Sequence, residues 1–179
     1  MMLQDLQLTF NNSTALFDLV LSGSSVEGFD LQGDQGLFTA VVVSLFTDAR
    51  ANADDTLPDE AAGQTEAEKD RRGWWGDAIR EDGDTSGPIG SRLWLLWREK
   101  DLPAVIVRAQ QYAEESLAWL KALGYVVSVS AAAVRVETRH IGISVSVAQA
   151  GQDTADSVWV FEYDYTTARP TTVSLGTAA

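Results

Sequence analysis

The stretch DLPAVIVRAQQYAEESLAWLKALG, residues 101–124, is the clearest element of the chain. Asp101 suits an N-cap and Pro103 the first helical turn. Val105, Ala109, Tyr112, Ser116, Trp119, Leu120 and Leu123 fall on one stripe, with Gln111, Glu114, Glu115 and Lys121 off it. Gly124 supplies the stop. At 1.5 Å per residue such a helix is roughly 30 Å long, enough to cross a small domain. After it the period changes from helical to two. Tyr125, Val127 and Val129 alternate with Val126 and Ser128, Val134 and Val136 with Arg135 and Glu137, and Ile143, Val145 and Val147 with Ser144 and Ser146. Beyond the turn at 151–153, Trp159, Phe161, Tyr163 and Tyr165 share a face against Val158, Val160, Glu162 and Asp164. These are half-buried strands, and the long helix should pack on the antiparallel sheet they form.

Upstream, Leu6, Leu8 and Phe10 alternate with polar residues, Asn11 to Thr14 form a turn cluster, and Phe17, Leu19 and Leu21 alternate again. That pattern predicts an N-terminal hairpin. A further extended piece is expected near Phe29 and Leu31. Leu37 to Arg50 reads as a helix with Asp34 as its cap. It is apolar nearly all round, so it is either central to a core or partly covered by another chain. Phe38, Val42 and Phe46 are candidates for the covered face. A short helix is expected over Ser91–Lys100. Strands, then helices, then strands argue for an α+β fold. Residues 1–165 read as a single domain, and the Thr-, Ala- and Gly-rich residues 166–179 as a mobile tail.

Composition narrows the chemistry. The chain has 179 residues, 13 Lys+Arg against 26 Asp+Glu, and a formal net charge of -13, which argues against a nucleic-acid partner. There is no cysteine, so thiol chemistry and thiolate metal sites are excluded, and His140 is the single histidine. No apolar run approaches the length of about 20 residues that a membrane span needs, and the N-terminus lacks a secretory signal pattern. The expectation is a protein made in the cytoplasm, with no membrane partner.

Residues 51–90 are irregular and acidic. From Asp48 to Asp84 there are 12 acidic and 5 basic residues. A loop of this length is functional, disordered or ordered by a partner. Glu81 or Asp82 beside Trp74 and Trp75 could be read as a glycosidase carboxylate pair, but no spacing singles out a pair. Asp82, Asp84 and Ser86 match the first ligand positions of a calcium loop, and Gly87 its invariant glycine. Leu93 stands where the bidentate glutamate belongs, and Pro88 where a carbonyl ligand is expected. The calcium match is therefore weak, and no other metal or cofactor is implied. Arg71 and Arg72, in acidic surroundings, suit pairing with carboxylates better than a phosphate. The tryptophans stand out: Trp74, Trp75, Trp94 and Trp97 fall close together. They make either a satellite core under the loop or a protein interface.

The strings RRGWWGD (71–77) and GSRLWLL (90–96), preceded by LFTAVVVSLFTDAR (37–50) and DDTLP (54–58), resemble the Mu-like phage tail baseplate wedge family. That family is similar, more remotely, to the "lysozyme-like" wedge proteins of contractile tails, whose Glu-Pro-Arg motif is absent here. The resemblance implies a structural protein of the virion tail baseplate and no enzymatic activity, made in the host bacterial cytoplasm. It implies as partners two copies of a larger wedge protein, the tail sheath protein, and the central spike or hub. The interface residues expected on this reading are Arg71, Arg72, Trp74, Trp75, Asp77, Arg92, Trp94 and Trp97, with Phe38, Val42 and Phe46. Strand 158–165, with Val158, Val160, Glu162 and Asp164 on its outer face, is the expected template for the first sheath ring, offering a free edge to an incoming strand. The alternatives are a hydrolase built on the acidic-loop carboxylates and a calcium-stabilised module.

Overall fold

The computed structural model describes residues 5–24, 28–31, 33–34, 37–59, 64–65, 69–79, 87–97, 99–100, 103–149 and 157–176. Short strands open the chain: β1 (Asp5–Leu6), β2 (Leu8–Asn11), β3 (Leu16–Leu19), β4 (Leu21–Ser24), β5 (Gly28–Leu31) and β6 (Gly33–Asp34). They pair antiparallel as β1 with β6, β2 with β3, and β4 with β5. The expected hairpin is β2–β3, with Leu8 opposite Leu19 and Phe10 opposite Phe17. Its turn is held by the Asn11 side chain, whose Oδ1 accepts from Ser13 N–H at 2.9 Å.

The first helix, α1 (Phe38–Phe46), is shorter than the expected 37–50. Asp34 does not cap it. It lies in β6, and the cap position is Leu37, in left-handed conformation at φ 62. Thr39 joins strand to helix, donating its hydroxyl to Leu6 O at 2.7 Å and accepting from Leu8 N–H at 3.2 Å. The helix ends early because another segment takes its last carbonyls. Ser91 donates its hydroxyl to Leu45 O and its N–H to Thr47 O, and Ala49 N–H returns a bond to Ser91 O.

The long helix, α2 (Pro103–Ala122), falls where its pattern placed it. Val105, Ala109, Tyr112, Ser116 and Leu120 are buried as expected, but so are Ala113 and Leu117, while Leu123 is exposed. The buried face is therefore rotated towards 113 and 117. Gly124 adopts φ 76, and Tyr125 N–H returns to Leu120 O at 2.9 Å, closing the helix.

Four strands follow: β7 (Ser128–Glu137), β8 (His140–Ala148), β9 (Ser157–Asp164) and β10 (Arg169–Leu175), in the antiparallel order β10-β9-β8-β7. Ile141, Ile143, Val145, Trp159, Phe161 and Tyr163 point to the helices and are buried. Phe38 and Phe46 of α1 pack on β9, with Phe46 5.3 Å from Phe161 between ring centroids and Phe38 5.9 Å from Trp159. Trp119 ties the two helices together, donating Nε1–H to Ser44 Oγ at 2.9 Å.

Two expectations for the C-terminal region are corrected. Residues 169–175 are not a loose tail: they form β10, with Val173 opposite Phe161 and Leu175 opposite Trp159. The Thr- and Val-rich sequence suits an edge strand, a β-propensity that the tail's general composition concealed. Consequently β9 has no free edge. It is paired with β8 on one side and β10 on the other, so Val158–Tyr165 cannot add an incoming strand.

Candidate protein-docking site

The string RRGWWGD builds a short scaffold residue by residue. Arg71 donates Nη1–H to Asn52 O at 2.7 Å, and its own carbonyl accepts from Ala51 N–H at 3.1 Å. Arg72, at φ 40, pairs with Asp48 and stacks its guanidinium 4.8 Å over the Trp94 ring. Gly73 turns the chain at φ 113, a region costly for other residues, and a Cβ there would meet Arg50 Cβ at 3.2 Å. Trp74 lies across Gly76, where an added Cβ would fall 2.0 Å from the indole. Asp77 begins to close the loop: its Oδ1 accepts from Ile89 N–H at 3.2 Å, and its N–H donates to Trp74 O.

The second string, GSRLWLL, supplies the floor. Gly90 sits at φ 106, and a Cβ on it would lie 2.4 Å from Thr47 O. Only glycine lets this segment run against the end of α1. Leu93–Leu96 form a single 3₁₀ turn rather than the expected helix over 91–100, and all four are buried. Trp94 donates Nε1–H to Ala49 O at 2.8 Å. Arg92 is the central tie. It forms two bonds to Asp55, at 2.9 and 2.8 Å, a third to Glu115 of α2, and lies 4.7 Å over the Tyr112 ring. Burial acts against the Arg92 charge, but its bonds to Glu115 and Asp55 outweigh that and hold its pKa above the usual value. Burial raises the Tyr112 hydroxyl, helped by the Asp55 charge and opposed by Arg92.

Above this floor stands an apolar tip. Trp75 is 72% exposed and Ile79 71%, both on the 3₁₀ turn Trp75–Ile79, and Trp74 is 37% exposed beside them. The two indoles touch at 5.4 Å between centroids. Trp97 joins Leu57, Pro58, Arg72 and Trp94 in lining a neighbouring hollow.

The structure thus brings together Arg71, Arg72, Trp74, Trp75, Asp77, Arg92, Trp94 and Trp97, but divides their roles. Trp94 is only 3% exposed and belongs to the core, as does Val42 at 4%. Phe38 and Phe46 are engaged with β9. Val42 and Trp94 are therefore corrected from partner contacts to internal packing, while Phe38 and Phe46 are half-buried. Of the apolar residues of α1, Val41, Val42 and Leu45 are buried by the rest of the chain, Phe38, Ala40 and Phe46 are half-buried, and Val43 is exposed. Ile79 was missed, although a lone large aliphatic between charged residues was its signal. Asp48, Asp55 and Glu115 were missed because their arginine partners lie 23 or more residues away in sequence. His140 lies in the β7–β8 hairpin with Nδ1 3.4 Å from Glu137 Oε1. Among the described residues no group of three or more His, Cys, Asp or Glu is placed to hold a metal. Glu81 and the weak calcium candidates Asp82, Asp84 and Ser86 lie outside the described residues. No described helix is long and apolar enough to cross a membrane.

This α+β scaffold uses three glycines, Gly73, Gly76 and Gly90, and three arginines, Arg71, Arg72 and Arg92, around an exposed apolar tip. The chain belongs to the phage protein GP46 family, whose model matches residues 37–154. This bears out the Mu-like resemblance carried by the two strings. The chain is 51% identical to the baseplate protein gp46 of Escherichia phage Mu over 116 residues, covering 65% of this chain and 70% of the relative. It is 36% identical to the Mu-like prophage FluMu protein gp46 of Haemophilus influenzae over 118 residues, covering 66% and 67%.

Proposed function

We propose that this protein is a non-enzymatic structural subunit of a phage tail baseplate, a wedge component that joins larger wedge proteins around the central spike and supports the first sheath ring. The single observation that carries a contact role is the exposed Trp75–Ile79 tip on a rigid, arginine-tied base. Large apolar side chains held out into water cost free energy unless a partner covers them, and tryptophan is enriched among residues that dominate binding. The baseplate assignment itself rests on the likeness to the phage Mu protein. On this reading the larger wedge protein, present in two copies per wedge, covers Trp74, Trp75 and Ile79. The protein is made in the host cytoplasm and ends in the virion baseplate. The test is a phage carrying Trp75→Ala. Loss of assembled baseplates with a folded, soluble subunit supports the role, and normal yield and infectivity rule it out. Wall or glycan cleavage by the purified protein would instead support a hydrolase.

A further inference from the structure

The sheet has a second face, turned away from α1 and α2, on which Ser130, Ala132, Val134 and Val136 are exposed. Its centre is made of small side chains: Ser130 and Ala132 of β7 lie opposite Ser146 and Ser144 of β8. Gly142 continues that column, and a Cβ there would meet Val134 and Val136 at 3.3 and 3.0 Å. Val134 and Val136 are 59% and 49% exposed, and Val158 and Val160 form the opposite ridge on β9. Charge on this face is confined to Glu162 and to one end, where His140 lies in register with Glu137 and Asp164, and Asp164 with Arg169. In a chain with 22% charged residues and a net charge of -13, a solvated antiparallel face would ordinarily carry charged residues along every strand.

We infer that this face docks a flat, uncharged surface of a different tail subunit, an inference that rests on the baseplate role proposed above. Size permits it. Four strands about 4.8 Å apart and some eight residues long at about 3.4 Å each present on the order of 500 Å². With the partner's share this gives roughly 1,000 Å², the lower bound for a specific interface. Chemistry selects the occupant. A charged partner residue over Ser144 or Ala132 would be buried without a counter-charge. A second copy of this chain would bring another -13 of like charge, which disfavours self-pairing. A neutral face with small side chains fits both the trough and the ridges. Val158 and Val160 then make contact through their outward side chains and not through the backbone edge, which is already paired, while Glu162 stays hydrated at the charged end of the face beside Asp164.

The experiment introduces Ser144→Arg and, separately, Val134→Lys, both outward positions, with Ser144→Thr as the conservative control. Each chain is checked for thermal stability and for mass in solution, and its copies per purified tail are counted by quantitative mass spectrometry. The expected result is a monomeric, normally stable Ser144→Arg or Val134→Lys chain incorporated at least about tenfold less than wild type, with Ser144→Thr at wild-type level. Wild-type incorporation of both charged variants overturns the inference. So does a wild-type dimer that Val134→Lys breaks, because the occupant is then a second copy. Absence of the wild-type chain from tails overturns the baseplate role itself, and this inference with it.

Discussion

Gly90 shows how one residue sets the site. Its φ of 106 and the 2.4 Å approach to Thr47 O leave no room for a side chain. Gly90→Ala should cost about 2–5 kcal/mol, through strain and displacement of the α1 end, and a denaturant titration reads that loss. The two tryptophan roles separate in the same assay. Trp94→Ala removes a buried ring and should cost about 3–5 kcal/mol. Trp75→Ala, at a position 72% exposed, should change stability by no more than about 0.5 kcal/mol while abolishing partner binding. Asp164 gives a pH signature. Burial opposes its charge, but bonds from the Thr166 hydroxyl and N–H and from the Thr167 hydroxyl outweigh that and lower its pKa. Its stabilisation is therefore complete above the unfolded carboxyl value of about 3.9 and is lost as pH falls through the lower folded value. Asp164→Asn should flatten stability against pH on that acid limb, and an unchanged acid limb would remove the assignment.

At the scale of elements, α2 and the sheet were legible because their periods are strong: Leu120, Ile143 and Phe161 lie where alternation placed them. The shorter α1 was not legible. Its end is set by Ser91, 45 residues after Phe46, and no local pattern around 47–50 records that bond. The strand β10 was hidden for a similar reason: its hydrogen bonds come from β9, and Thr-Thr-Val-Ser reads equally as a polar tail. At the candidate site the residues of the two strings were legible as a group, but not which are buried and which exposed, since burial of Trp94 and exposure of Trp75 depend on tertiary contacts. Beyond β9, the outer edge of β10 carries its own guard. Asn12 accepts from Val173 N–H at 3.0 Å and donates to its carbonyl at 3.4 Å, filling one ladder position from the hairpin. Because β9 is internal, Val160→Pro should unfold the sheet outright, seen as loss of cooperative melting, and a lost sheath in that variant would carry no information about templating.

Taken whole, the molecule is two-sided. On the helix side, Arg92 ties the Asp55 loop to Glu115 of α2, and the Trp75 tip rises from the same base. On the other side lies the neutral sheet face. The two proposed contact surfaces, the Trp75 tip and the outer sheet face, suit a subunit that bridges neighbours. The most direct measurement is native mass spectrometry of the purified chain mixed with the neighbouring tail proteins, for wild type and Trp75→Ala. The expected result is a defined complex with the larger wedge protein for wild type, lost for the folded Trp75→Ala chain. No complex with wild type, or an equally stable one with Trp75→Ala, would contradict a tryptophan-centred baseplate contact.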